Sequence, residues 1–233
     1  MAMILVAENL TKQYGTRSAI KNISLSLEAG RILGLMGPNG SGKTTFMKII
    51  AGLQKASSGN IRVCEKALGI ETKRLVSFLP DRNIMPKWMT ALDALDYYHD
   101  YFDDFDMHKA YDMLEFVHLD KNVPVAHMSK GMIEKLNLTL CFSRGAKLFL
   151  LDEPLGGVDP VAREQIISSI VKTYNPDSSI VVSTHLVHDI EHMFNDVCFI
   201  KDGEIVLYGD AERLRTERGM DIDTLYIATF REM

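Results

Sequence analysis

Residues 37–44 read Gly37-Pro38-Asn39-Gly40-Ser41-Gly42-Lys43-Thr44, and this octapeptide constrains the chain more than any other feature. It fits the pattern G-x-x-x-x-G-K-[ST], whose glycines let the backbone curl until successive N–H groups point inward at phosphate oxygens. An apolar run, Arg31–Met36, leads into it. Behind it, from Lys43 to about Ala51, Phe46, Ile49, Ile50 and Leu53 recur at helical spacing, with Gly52 as the stop. A buried strand, a glycine turn and a helix in that order place the positive end of the helix dipole at the turn. The expected nucleotide-binding residues are therefore Asn39, Gly40, Ser41, Gly42, Lys43, Thr44 and Thr45. Lys43 is expected to reach the β- and γ-phosphates, and the Thr44 hydroxyl to ligate Mg²⁺.

The remaining pattern alternates short β-rich runs with helical stretches, as an α/β sheet with crossover helices requires. Residues 60–64 and 74–79 read as strands, and residues from Trp88 to about Gly145 as almost wholly helical. Lys147–Leu151 and Ser179–Ser183 are continuous apolar runs, the signature of strands covered on both faces. Val197–Ile200 and Glu204–Leu207 flank Asp202-Gly203 as a hairpin, followed by a helical end. The run at 148–151 ends in Asp152 and Glu153. At that position Asp152 can hold Mg²⁺, commonly through water, and Glu153 can polarise the water that attacks a γ-phosphate.

Composition narrows the class further. With 46% hydrophobic and 24% charged residues, the 233-residue chain reads as globular. Its 26 basic against 31 acidic residues give −5, which argues against a nucleic-acid partner held by phosphate neutralisation. Cys64, Cys141 and Cys198 are odd in number and lie among apolar neighbours, as expected of buried thiols in a reduced cytoplasmic protein. No window approaches ~18 consecutive apolar residues, so no membrane span is expected.

Taken in order, these motifs resemble the nucleotide-binding subunit of ATP-binding cassette transporters over essentially the whole chain. Met128-Ser129-Lys130-Gly131-Met132 is similar to that family's Leu-Ser-Gly-Gly-Gln signature, with Lys130 and Met132 replacing a glycine and the glutamine. Gly156-Gly157-Val158-Asp159 resembles the D-loop, and His185 sits where the family places its switch histidine. Asp81 stands where a glutamine is usual, and it too can bind Mg²⁺ or its water shell. Tyr14 fits either the aromatic side chain that stacks on adenine or an edge-strand aromatic. The Ser-Lys-Gly-Met signature resembles small bacterial subunits grouped with bacitracin-type exporters.

The resemblance implies an α/β fold: a P-loop NTPase (RecA-like) core with a small antiparallel β subdomain and an inserted helical subdomain. The expected boundaries are about 1–80 and 146–215 for the core with its β portion, about 81–145 for the helical insert, and about 216–233 for a C-terminal helical tail. ATP and Mg²⁺ are the implied ligands, with Glu153, His185 and Lys43 catalytic and Thr44, Asp152 and Asp81 at the metal. Two chains, identical or different, would close head to tail, so that Ser129, Gly131 and Asp159 meet the partner's ATP. Separate permease chains would hold the pair on the inner face of the membrane, most simply as an exporter. The alternative is a cassette ATPase of a non-transport signalling or cell-envelope complex. The acidic, aromatic stretch 97–106 reads either as a docking face for a membrane partner or as a helix end whose aromatics pack inward.

Overall fold

The computed structural model describes residues 2–173 and 175–231. Strands β1 (Met3–Tyr14), β2 (Arg17–Glu28), β4 (Ser58–Val63) and β5 (Lys66–Ala67) form one antiparallel sheet in the order β2-β1-β4-β5. A second sheet holds β3 (Ile32–Met36), β6 (Val76–Leu79), β7 (Leu148–Asp152), β8 (Ser179–Thr184), β9 (Asp196–Lys201) and β10 (Glu204–Asp210). Its order is β10-β9-β3-β8-β7-β6, parallel except for the β9–β10 hairpin at one edge.

The apolar runs are continuous because both faces of this second sheet are covered. Side chains alternate across it: Ile32, Met36, Phe149, Leu151, Val182 and Phe199 join one cluster, while Leu33, Leu35, Leu148, Leu150, Val181 and Ile200 join the other. The second cluster is closed by β1, β2 and helix α1 (Lys43–Ile50) through Leu5, Ile20, Phe46 and Ile49. The first is closed by α5 (Lys130–Phe142), α6 (Pro160–Thr173) and α9 (Ile222–Arg231). Short helices α2 (Ile70–Leu75), α7 (Val187–Ile190) and α8 (Ala211–Arg218) complete the core, and α9 carries the helical tail as far as Arg231; residues 232–233 of the expected tail lie outside the described residues.

A third cluster belongs to the helical insert: α3 (Ala91–Tyr101), α4 (Met107–Phe116) and the face of α5 bearing Leu136 and Leu140. Because α5 supplies side chains to this cluster and to the sheet, the insert is fastened to the core by one shared helix. In the stretch 97–106, Tyr98, Phe102 and Phe105 turn inward, whereas Tyr101 is exposed and stacks on Tyr97 at 4.5 Å.

Several expected boundaries are corrected. Arg74 and Leu75 end α2, and the strand starts at Val76, because Gly69 and Thr72 cap a short helix there. The strand at 60–64 runs instead over Ser58–Val63, since Cys64 and Glu65 take left-handed turn conformations. The helical stretch opens at Ala91 rather than Trp88, where the Thr90 hydroxyl accepts from the Asp93 N–H. It is also interrupted, since residues 117–129 form a loop with one short turn.

Candidate nucleotide-binding and catalytic site

Parallel strands β3, β7 and β8 all end on the same side of the sheet, so Met36, Asp152 and Thr184 deliver their following loops to one rim. This is where open α/β sheets place ligands. The first loop is shaped by missing side chains. A Cβ on Gly37 would lie 2.2 Å from the Ile200 carbonyl oxygen, and one on Gly42 (φ +113) 2.5 Å from that of Ala19. Only glycine lets the chain pass both walls. The loop then enters α1, whose first-turn amides have no partner within the helix.

Lys43 is buried beneath this loop, its Nζ donating to the Gly37 carbonyl at 2.7 Å and the Pro38 carbonyl at 3.3 Å. Burial lowers its pKa, opposed by the charges of Glu153 and Asp152. The Glu153 carboxylate lies 3.6 Å from Nζ. Asp152 is fully buried; its Oδ1 accepts from the Ser183 hydroxyl at 2.6 Å and the Thr44 hydroxyl at 3.2 Å, while Oδ2 has no partner. Burial pushes the Asp152 carboxyl upward, against those two hydrogen bonds. A carboxylate oxygen left without a donor beside a hydroxyl suits a hard divalent cation. Mg²⁺ takes one or two protein oxygens and completes its shell with phosphate and water, so Asp152 and Thr44 fit it.

Glu153 follows the strand in a left-handed conformation (φ +52), which a non-glycine residue adopts at some cost. Its N–H donates to the Ser183 hydroxyl at 3.0 Å, and its Oε2 meets His185 Nδ1 at 2.7 Å. Oε1 is buried and has no hydrogen-bond partner. The site therefore holds a carboxylate oriented by His185 on one oxygen, with Lys43 Nζ 3.6 Å from the other. Ser183 is the member that sequence reading passed over: it was visible only as the residue before Thr184-His185.

Lys43, Thr44 and Glu153 line a cleft of about 470 Å³ that also takes in Tyr14 and Asp81, whereas Asp152, Ser183 and His185 are not part of its lining. Asp81 is exposed, and its charge helps raise the Asp152 pKa. Tyr14 ends β1, half exposed, and its hydroxyl donates to Gln54 Oε1. Lys12 Nζ lies 4.9 Å from its ring centre. For Tyr14 as a base-stacking residue, Tyr14→Ala is expected to weaken ATP binding about tenfold while Tyr14→Phe and Tyr14→Trp retain it, since stacking uses the π face. Equal affinities for the alanine and phenylalanine variants would remove Tyr14 from the site.

Ser129, Gly131 and Asp159 are brought together, but elsewhere. Ser129 caps α5, its Oγ accepting from the Met132 N–H at 3.2 Å. A Cβ on Gly131 would stand 3.0 Å from the Ala162 methyl and 3.6 Å from Asp159 Oδ2. Lys130 extends its Nζ over Gly157. None of the three lines the cleft of their own chain. Behind them Arg163 pairs with Asp189 at 2.7 Å, tying the start of α6 to the helix that follows His185.

A model of the family described as ABC transporter matches residues 20–156. The chain is similar to the uncharacterized ABC transporter ATP-binding protein YxlF of Bacillus subtilis, 31% identical over 96% of this chain and 77% of that protein. It is also similar to the Nod factor export ATP-binding protein I of Cupriavidus metallidurans, 27% identical over 97% of this chain and 78% of that one. Among solved structures it matches the dimeric post-hydrolysis state of the ATP-binding cassette MJ0796 bound to ADP and Pi. That match has a TM-score of 0.80 at 22% identity, covering 88% of this chain and 98% of the other, and is a likeness of fold.

Proposed function

Since the chain belongs to the ABC transporter family as an ATP-binding ATPase subunit, we propose that it powers an exporter as one half of a cassette dimer, docked on separate membrane-spanning chains. One observation carries the reading: Lys43, Asp152, Glu153 and His185 converge on the loop, while Ser129, Gly131 and Asp159 form a face outside the same chain's cleft. Such a split suits a composite site in which each ATP lies between two chains. The dimeric form of the similar MJ0796 cassette supports that arrangement, and the relative named for Nod factor export supports the direction.

In phosphoryl transfer the protein's work is positioning and charge stabilisation. Lys43, tethered by two carbonyls, holds its ammonium under the loop where the β- and γ-phosphates lie. Glu153 takes the proton of the attacking water on Oε1, which makes no hydrogen bond and faces Lys43 Nζ at 3.6 Å, while His185 fixes the other oxygen. Thr44 and Asp152 would hold Mg²⁺, which supplies charge neutralisation on the phosphate oxygens when bound. Asp81, on the loop after β6, adds a carboxylate beside that position.

Among the described residues no helix is long and apolar enough to cross a membrane, so the proposed location on the inner membrane face depends on a partner. Affinity purification of the tagged chain from detergent-solubilised membranes tests this. The expected result is a co-purifying chain with several membrane spans and an ATPase rate that responds to the transported compound. Recovery of a membrane complex that accumulates its compound inside vesicles of cytoplasm-in orientation would overturn the export reading.

A further inference from the structure

We propose that Arg17 is a nucleotide-binding residue, its guanidinium gripping the phosphate nearest the ribose, between the base position at Tyr14 and the loop at Gly40. The inference rests on ATP binding in this cleft and adds a contact that no motif predicts.

Arg17 opens β2 immediately after the turn at Gly15 and Thr16, and pairs across the hairpin with Tyr14. The register sets these two side chains at the same end of the antiparallel sheet, and both line the 470 Å³ cleft. Its Nη2 lies 3.7 Å from the point a Cβ would occupy on Gly40. Gly40 has φ +82 and nothing else within 4 Å of that point, so the guanidinium faces the bare backbone of the phosphate loop.

Charge points the same way. Arg17 is exposed, and among the described residues no carboxylate lies within ion-pair distance of it, although Asp81 and Glu153 line the same cleft. Three other arginines of the chain are committed to carboxylates: Arg31 to Asp196 and Asp210, Arg144 to Asp104, Arg163 to Asp189. An uncommitted guanidinium beside a loop of inward-facing amides is suited to a phosphate, which its planar fork meets with two parallel hydrogen bonds. Lys43 occupies the far, buried end of the loop and Tyr14 the near end. The position between them is that of the first phosphate of the chain.

Equilibrium binding of ATP, inorganic tripolyphosphate and adenosine to the full chain and its Arg17→Ala and Arg17→Lys variants tests the assignment. Arg17→Ala is expected to weaken ATP and tripolyphosphate about tenfold each and leave adenosine unchanged; Arg17→Lys is expected to recover part of the loss as a point charge. Because Arg17 is exposed and unpaired, the unliganded variants should melt with the parent. Unchanged ATP affinity in Arg17→Ala would overturn the proposal. So would a loss confined to ATP and adenosine with tripolyphosphate unaffected, which would make Arg17 a base-stacking cation instead. Failure of the parent chain itself to bind ATP would count against the site, separately from Arg17.

Discussion

Glu153→Gln is expected to bind ATP normally, hydrolyse it roughly 10²–10⁴-fold more slowly, and form a stable dimer with ATP but not with ADP. The substitution keeps the side chain's shape and its contact with His185 while removing the proton acceptor. Binding energy from two γ-phosphates, each touched by both chains, then accumulates in the closed pair. The −5 charge of each chain opposes closure weakly, because the Debye length is about 8 Å at physiological salt. Adding Ser129→Arg should abolish the dimer and leave the loop filled. Its local cost is the lost cap on α5, about 1 kcal/mol, which a folded core of this size tolerates. Light scattering with quantified bound nucleotide reads both outcomes. A Glu153→Gln chain that fills with ATP and stays monomeric would point to an obligatory second cassette chain. Hydrolysis at the parent rate would remove Glu153 as the base.

Arg144→Met is expected to destabilise the fold without touching the cleft. Arg144 follows α5 and is 5% exposed; its Nε donates to Asp104 Oδ1 at 2.5 Å, and its Nη2 to the Arg74 carbonyl at 3.3 Å. The guanidinium also lies 3.8 Å from the ring centre of Phe102. It thus joins α2 of the core to the loop between α3 and α4. Removing it leaves Asp104 without its counter-charge, and Asp104 Oδ2 is already buried without a partner. Breaking this pair, buried at Arg144 and partly exposed at Asp104, costs about 2 kcal/mol, which lowers the melting temperature by about 4–8 °C in a chain of this size. Arg144→Lys should recover little, since an ammonium cannot make both bonds and cover the ring. Calorimetric melting with ATP titration separates the effects: a lower melting point with unaltered ATP affinity is expected. A variant melting with the parent would show that α5 alone fastens the insert.

The loop at 37–44 and strands β3, β7 and β8 were legible because each is a continuous local pattern: glycine spacing, or apolar runs buried on both faces. The carboxylates were legible for the same reason, as charges ending an apolar run. What local pattern could not show is what distant segments bring. Ser183 looked like an ordinary strand residue until β8 set its hydroxyl between Asp152 and the Glu153 amide. Arg17 acquires a role only through hairpin register with Tyr14. Glu134 lies one turn into α5, within the stretch expected to be helical, yet it is buried, and burial pushes its carboxyl up to about 7. The start of α2 was lost because four residues of β character, Val76–Leu79, follow it without a break.

Strand β3 lies between β8 and β9, its first residue facing Ile180, roughly 150 positions further along the chain. One wall of the loop arrives even later: Ile200 stands against Gly37, and the Gly203 N–H donates to the Ser41 carbonyl at 2.9 Å. During synthesis the loop therefore leaves the ribosome long before the segments that hold it. At about 5–20 residues per second that interval lasts on the order of ten to thirty seconds. Throughout it β3 presents two unpaired edges of five apolar residues, while the helical insert, rich in local contacts, can already form. The nascent chain is thus most exposed to misassociation through its central strand until β8 and β9 arrive to flank it.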